Sequence, residues 1–194
     1  MNTSWITAII AEINEKHGIE LEILEGDEEA TMTFLAVRRW LGWSAGKLLV
    51  LDIGGGSLEV AAGVDENPEA TLSLPLGAAR LTREFLSGDP YSSKSIKSLE
   101  KHVEESLSKS LPKILKSHDA NHFVATSKTF RTLARITANW YGDNPKFLEK
   151  DSLEKAIPRL AEMTDKGRAD LPGVSTSRAR QIVAGAVVAY SIMD

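Results

Sequence analysis

The chain has 194 residues, 42% hydrophobic and 26% charged, enough for one sizeable α/β domain whose core needs no staple. The absence of cysteine excludes disulfide frameworks and thiolate zinc sites, and a net charge of -4 without a basic block argues against a nucleic-acid partner. No apolar run approaches the ~20 residues of a membrane helix, and the first residues lack a signal-peptide pattern, so a cytoplasmic protein with no membrane partner is expected.

Ile6, Ile9, Ile10 and Ile13 have helical spacing, and Gly18 closes that helix. Leu21-Glu22-Ile23-Leu24 alternates like a short strand. Gly26-Asp27 opens a second helix with Ala30, Phe34, Val37 and Leu41 on one face. Trp40 and Trp43 read as packing residues around the loop that follows. The run Leu48-Leu49-Val50-Leu51, ending in Asp52, predicts a strand buried on both faces. Strands over Leu58–Val64 and Leu72–Leu76 complete a meander.

A helical pattern starts at Gly77-Ala78, with Leu81, Phe85 and Leu86 as its apolar positions. A longer helical stripe runs through Leu99, Val103, Leu107, Leu111 and Ile114, with Pro112 tightening its last turn. Phe123-Val124-Ala125-Thr126 predicts a strand that feeds a helix through Leu133 and Ile136. Residues 139–146 read as a loop, and helices are expected near 151–165 and 176–193. The apolar stretch Ile182–Ala189 in the last of these is expected to be buried all round.

Three constellations can carry chemistry. In Asp52-Ile53-Gly54-Gly55-Gly56-Ser57-Leu58-Glu59 a buried strand ends in a carboxylate, followed by three glycines and a hydroxyl. Glycines let backbone N–H groups approach a phosphate closely, and Asp52 can hold a hard divalent cation. A hairpin returns Glu59 towards Asp52. Three adjacent glycines exceed what a plain turn needs, which favours the phosphate reading. Thr126-Ser127-Lys128-Thr129 stands at a strand-to-helix junction, where free N–H groups, hydroxyls and a cation suit phosphate. Helix capping explains the same residues, and both roles can hold at once. Gly26-Asp27-Glu28-Glu29 places carboxylates in a first helical turn, for capping or for activating water. His17, His102, His118 and His122 have no metal-ligand spacing. The pairs Arg38-Arg39 and Arg178/Arg180 are compatible with either surface charge or phosphate contact.

In order and spacing, Gly26–Ala30, Asp52–Glu59, Ser73-Leu74-Pro75-Leu76-Gly77-Ala78-Ala79-Arg80-Leu81-Thr82 and Ala125-Thr126-Ser127-Lys128-Thr129 resemble the Ppx/GppA phosphatases. Arg178-Ala179-Arg180-Gln181-Ile182-Val183-Ala184-Gly185 resembles that family's closing helix. The Ser-Lys-Thr variant, with Arg38-Arg39-Trp40 and Gly42-Trp43-Ser44, resembles its actinobacterial branch.

The resemblance implies an α/β, actin-like (RNase H-like) domain of the sugar kinase/Hsp70/actin superfamily, with a mixed sheet and flanking helices. Residues 1–194 would form a single such domain, the second of a two-domain parent whose N-terminal domain is absent. A start almost inside a helix, and a stop at Asp194 without a capping glycine or proline, fit a truncated chain. The implied activity is release of the terminal phosphate of inorganic polyphosphate, or of the 5′ phosphate of pppGpp, with Mg2+ or Mn2+. Glu29 would activate water, and Asp52 and Glu59 would place the metal. Gly54, Gly55, Gly56 and Ser57 would form one phosphate loop, and Ser127, Lys128 and Thr129 a second. With half of the groups missing, the isolated chain would be inactive or weakly active.

Polyphosphate or a guanosine polyphosphate is the expected partner, and apolar surface left bare by the absent domain would favour a homodimer. Three departures from the family pattern stand out. Thr31 replaces an arginine, Lys128 a glycine and Leu58 a threonine. Thr31 and Lys128 favour the alternative of a non-catalytic polyphosphate- or nucleotide-binding module. A nucleotide-dependent kinase half of the same superfamily is a third reading, and the Glu29 element argues against it.

Overall fold

The apolar run predicted to be buried on both faces forms the axis of the sheet. The computed structural model describes residues 3–111 and 119–193, so Pro112, Ile114 and His118 lie outside the described residues. Strand β1 (Leu48–Ile53) pairs antiparallel with β2 (Leu58–Gly63), and β2 with β3 (Ala70–Leu74). On the other side of β1 lies β4 (His122–Ala125), in parallel, giving the order β3-β2-β1-β4. Helix α1 (Thr3–His17) and helix α2 (Gly26–Leu41) precede the sheet. Between β3 and β4 stand α3 (Ala78–Phe85) and α4 (Ser93–Ser110). After β4 come α5 (Lys128–Tyr141), α6 (Lys150–Glu162), the short α7 (Asp165–Ala169) and α8 (Ile182–Ile192).

The two-residue period of the strands sorts the side chains into two cores. Leu51, Ile53, Leu58, Val60 and Ala62 enter a large core with the buried faces of α3, α4, α5, α6 and α8. Leu48, Val50 and Ala61 point the other way and meet Ala30, Phe34 and Val37 of α2. Every residue from Ile182 to Ala189 is buried, as the all-round apolar pattern predicts. Fully burying each large aliphatic or aromatic side chain contributes roughly 1.5–3 kcal/mol.

Some expectations are corrected. Residues 18–25 form no strand: Ile19, Leu21, Ile23 and Leu24 are exposed, and alternation without a neighbouring edge gives no ladder. Helix α5 continues through Trp140 and Tyr141 and stops at Gly142, whose left-handed φ of 81° closes it. The stretch predicted as one helix over 176–193 starts with a single 3-10 turn at Thr176–Arg178. Trp40 and Trp43 do not pack around the loop but are 89% and 65% exposed. Their place there is taken by Arg38, which is buried. It donates from Nη2 to Gly46 O at 2.5 Å and Gly63 O at 3.3 Å, tying the end of α2 to the strands. Leu41 is also exposed. Met32, Ala36, Val37, Trp40, Leu41 and Val124 line an apolar groove of about 620 Å³ between α2 and β4.

Candidate active site

The parity that divides the cores also sets the acidic residues. Asp52 and Glu59 are direct partners in the β1–β2 ladder, on the face shared with Val50 and Ala61. With Ala30 and Thr33 they line a narrow crevice beneath the start of α2. Each carboxylate is held by a hydroxyl from a neighbouring strand or junction. Thr126 Oγ1 donates to Asp52 Oδ2 at 2.7 Å. Ser73 Oγ donates to Glu59 Oε1 at 3.1 Å. Gly26 opens α2 directly over Ser73, where a Cβ would overlap the serine side chain. That close approach brings the first turn of α2 to the acidic pair.

Within that turn the carboxylates divide their roles. Glu28 Oε2 accepts the backbone N–H of Glu25 at 2.9 Å, which is capping. Glu29 is exposed and takes no part in the cap. Its charge nonetheless reaches Glu59, whose side chain is buried. Burial is the main cause that raises the Glu59 pKa above its ordinary value, and the negative charges of Glu29 and Asp52 add to it. Hydrogen bonds from Ser57 and Ser73 oppose the rise. The crevice therefore concentrates negative charge, and among the described residues no Lys or Arg forms an ion pair with Glu29, Asp52 or Glu59.

The glycine loop crosses the end of this hairpin. Its carbonyls turn towards α3: Gly54 O accepts from Ala78 N, Gly55 O from Arg80 N and Gly56 O from Arg80 Nε, each at 3.0 Å. Gly54 N–H closes the turn onto Ser57 O. Among the described residues, the N–H groups of Gly55, Gly56 and Ser57 donate to no protein acceptor. Gly77 lies against the loop so closely that a Cβ there would overlap the Gly56 and Ser57 backbone. The second loop abuts the first. Ser127 caps α5, accepting from Phe130 N at 3.4 Å, and Thr129 Oγ1 donates to Ile53 O at 3.0 Å.

Asp52, Glu59, the glycine loop, Ser127 and Thr129 are thus assembled at one end of the sheet, with Glu29 above them. Lys128 is exposed and lines a cavity along α5. Two departures find local explanations: Thr31 Oγ1 bonds back to Asp27 O at 2.8 Å, and Leu58 is buried in the large core. Arg39 forms a surface pair with Glu66, and Arg180 one with Asp165. Neither arginine reaches the glycine loop. Ser73 and Arg80 are not singled out by the sequence as site supports, and Thr126, read there as a phosphate-contact or capping residue, instead holds Asp52. Their only signal was membership of the family-like motifs, because cross-strand partnership appears only with register.

The sequence model of the Ppx/GppA phosphatase family matches residues 7–194. The chain belongs to the Ppx/GppA phosphatase family. "Exopolyphosphatase 1" of Mycobacterium tuberculosis is 48% identical over 189 residues, which cover 95% of this chain and 55% of that protein. The Mycobacterium leprae protein of the same name is 47% identical over 95% of this chain and 56% of its own length. The chain therefore spans little more than half the length of these relatives. Among solved structures, the Aquifex aeolicus Ppx/GppA family member superposes with a TM-score of 0.78 at 25% identity, over 96% of this chain and 61% of that one. The Ppx/GppA match and this superposition make the fold an α/β, actin-like one, its mixed four-stranded sheet flanked by helices.

Proposed function

We propose that this chain supplies one side of a phosphoanhydride-hydrolysing site that releases the terminal phosphate of inorganic polyphosphate. The observation that carries the reading is the meeting of two features at one end of the sheet. A cross-strand Asp52–Glu59 pair is held by Thr126 and Ser73. Beside it lies a glycine loop whose carbonyls are engaged by α3, and whose Gly55, Gly56 and Ser57 N–H groups meet no protein acceptor among the described residues.

Among the described residues no three acidic or imidazole groups form a closed metal cage. Mg2+ needs none, because it keeps several waters and binds through one or two carboxylates and substrate phosphates. The buried, charge-crowded Glu59 fits such a cation, since a positive charge relieves the cost of ionising it. When bound, the metal would polarise phosphoryl oxygens and offset their charge. The protein's own groups would do the remainder. N–H groups of Gly55, Gly56 and Ser57 would hold phosphate oxygens. Glu29, free of the cap, would accept a proton from the attacking water. The N-terminus of α5, with Ser127 and Thr129, would steady the next phosphate.

Names of the mycobacterial relatives favour polyphosphate over pppGpp as substrate. Phosphate release from each, with Mg2+, tests the proposal in three proteins: this chain, a form extended to the length of those relatives, and that form carrying Glu29→Gln. Release by the extended form, falling at least a hundredfold in the variant, is the expected result. No release by the extended form from either substrate would sink the hydrolase and favour a non-catalytic binding module of the same fold.

A further inference from the structure

We infer that the exposed face of α5 is a track for the phosphates of a linear polyanion beyond the one being cleaved. Lys128, Arg131, Thr132 and Arg135 recur at spacings of three and four, so they share one helix face. With Arg178 and Ser175 from the opposite segment they line a cavity of about 270 Å³. A much smaller cavity shares Lys128, Thr132 and Arg178 with it and is also lined by Ala78, whose N–H binds Gly54 O of the glycine loop.

Three properties point to an anion. No acidic side chain lines either cavity. Among the described residues, none of Lys128, Arg131, Arg135 and Arg178 is in an ion pair, although acidic residues outnumber basic ones, 27 to 23, in the whole chain. An acidic protein that gathers four such cations around one cavity carries a local field opposite to its net charge. The two walls are tied together: Arg135 lies against Gly173, whose carbonyl accepts from Thr132 Oγ1 at 3.3 Å.

By the 1.5 Å rise per residue, Lys128 to Arg135 covers about 10 Å, starting beside the phosphate loops and leading away from them. That shape suits an unbranched polyphosphate rather than a compact nucleotide. The identity of the anion rests on the function proposed above; the basic cavity does not.

The test is calorimetric titration of this chain, and of its Arg131→Gln/Arg135→Gln and Arg178→Gln variants, with long-chain polyphosphate and with pyrophosphate. Each series is repeated over a range of salt concentrations. Circular dichroism establishes that the variants are folded, and the two glutamines replace exposed side chains. The double variant is expected to lose at least tenfold in affinity for the long chain and little for pyrophosphate. Its slope of log affinity against log salt should flatten by about 1–2, as two fewer phosphates are neutralised. Unchanged long-chain affinity and slope in both variants, or no long-chain binding by the parent chain at low salt, overturns the track. Track variants that fail to bind polyphosphate, beside an extended protein that releases no phosphate, would remove the hydrolase and keep the track.

Discussion

Glu59 is an ionisable side chain almost removed from water, facing Asp52 across a ladder and feeling the charge of Glu29. Folding raises its pKa, so the folded chain holds that proton more tightly than the unfolded one. The stability linked to it is full below the ordinary carboxylate range and is lost as pH climbs through the raised value. Glu59→Gln removes this loss. In thermal melts without divalent cations, the variant should be the more stable protein at neutral pH, with the difference closing as the pH becomes acidic. Mg2+ should raise the melting temperature of the parent and leave the variant unmoved. Equal stability at neutral pH would show that the carboxylate is not the strained group. The motif marked Glu59 from its place after the glycines, but its burial follows from Ser73, Gly26 and α2 converging on it. Those contacts join residues distant in the chain.

At the scale of elements, the glycine loop is held from outside itself. Its carbonyls are bound by the first turn of α3, and Gly77 provides the room. Ala at position 77 would press on backbone, which cannot rotate aside as a side chain does. The expected cost is about 1–3 kcal/mol in urea unfolding, together with weaker phosphate binding. Gly55→Ala is the contrasting case. Its added Cβ would sit 3.7 Å from Ala79 Cβ, an ordinary contact, so stability should stay within about 0.5 kcal/mol. Similar losses in both would mean that the loop is not braced at Gly77. The helices and strands that bury a regular face were legible from periodicity alone. The segment at 21–24 was misread because alternation records a preference for an edge without supplying one. Trp40 was misread because it falls outside the buried stripe of Phe34, Val37 and Arg38.

For the whole molecule, α2 and β4 leave exposed apolar surface on one side. Met32 and Trp40 are 55% and 89% exposed and line the groove between the two elements. Exposed apolar patches of this kind favour association. Sedimentation of this chain should show concentration-dependent self-association, weakened by Trp40→Lys without loss of helicity. A strictly monomeric parent chain would refute that expectation. Composition could not reveal this face, because Trp and Phe in a sequence read as core until the buried stripe has been located.

By itself the sequence determined the elements whose burial repeats with a regular period, the Ppx/GppA motifs and the residue types at the site. These depend on neighbours along the chain and on local backbone chemistry. The tertiary structure alone decided that Thr126 and Ser73 hold the Asp52–Glu59 pair, that Arg38 is buried while Trp40 is exposed, and that four cations line one cavity. Each of those depends on register and on helix rotation about the sheet, which set side chains from different elements against one another, and no short window of sequence encodes them.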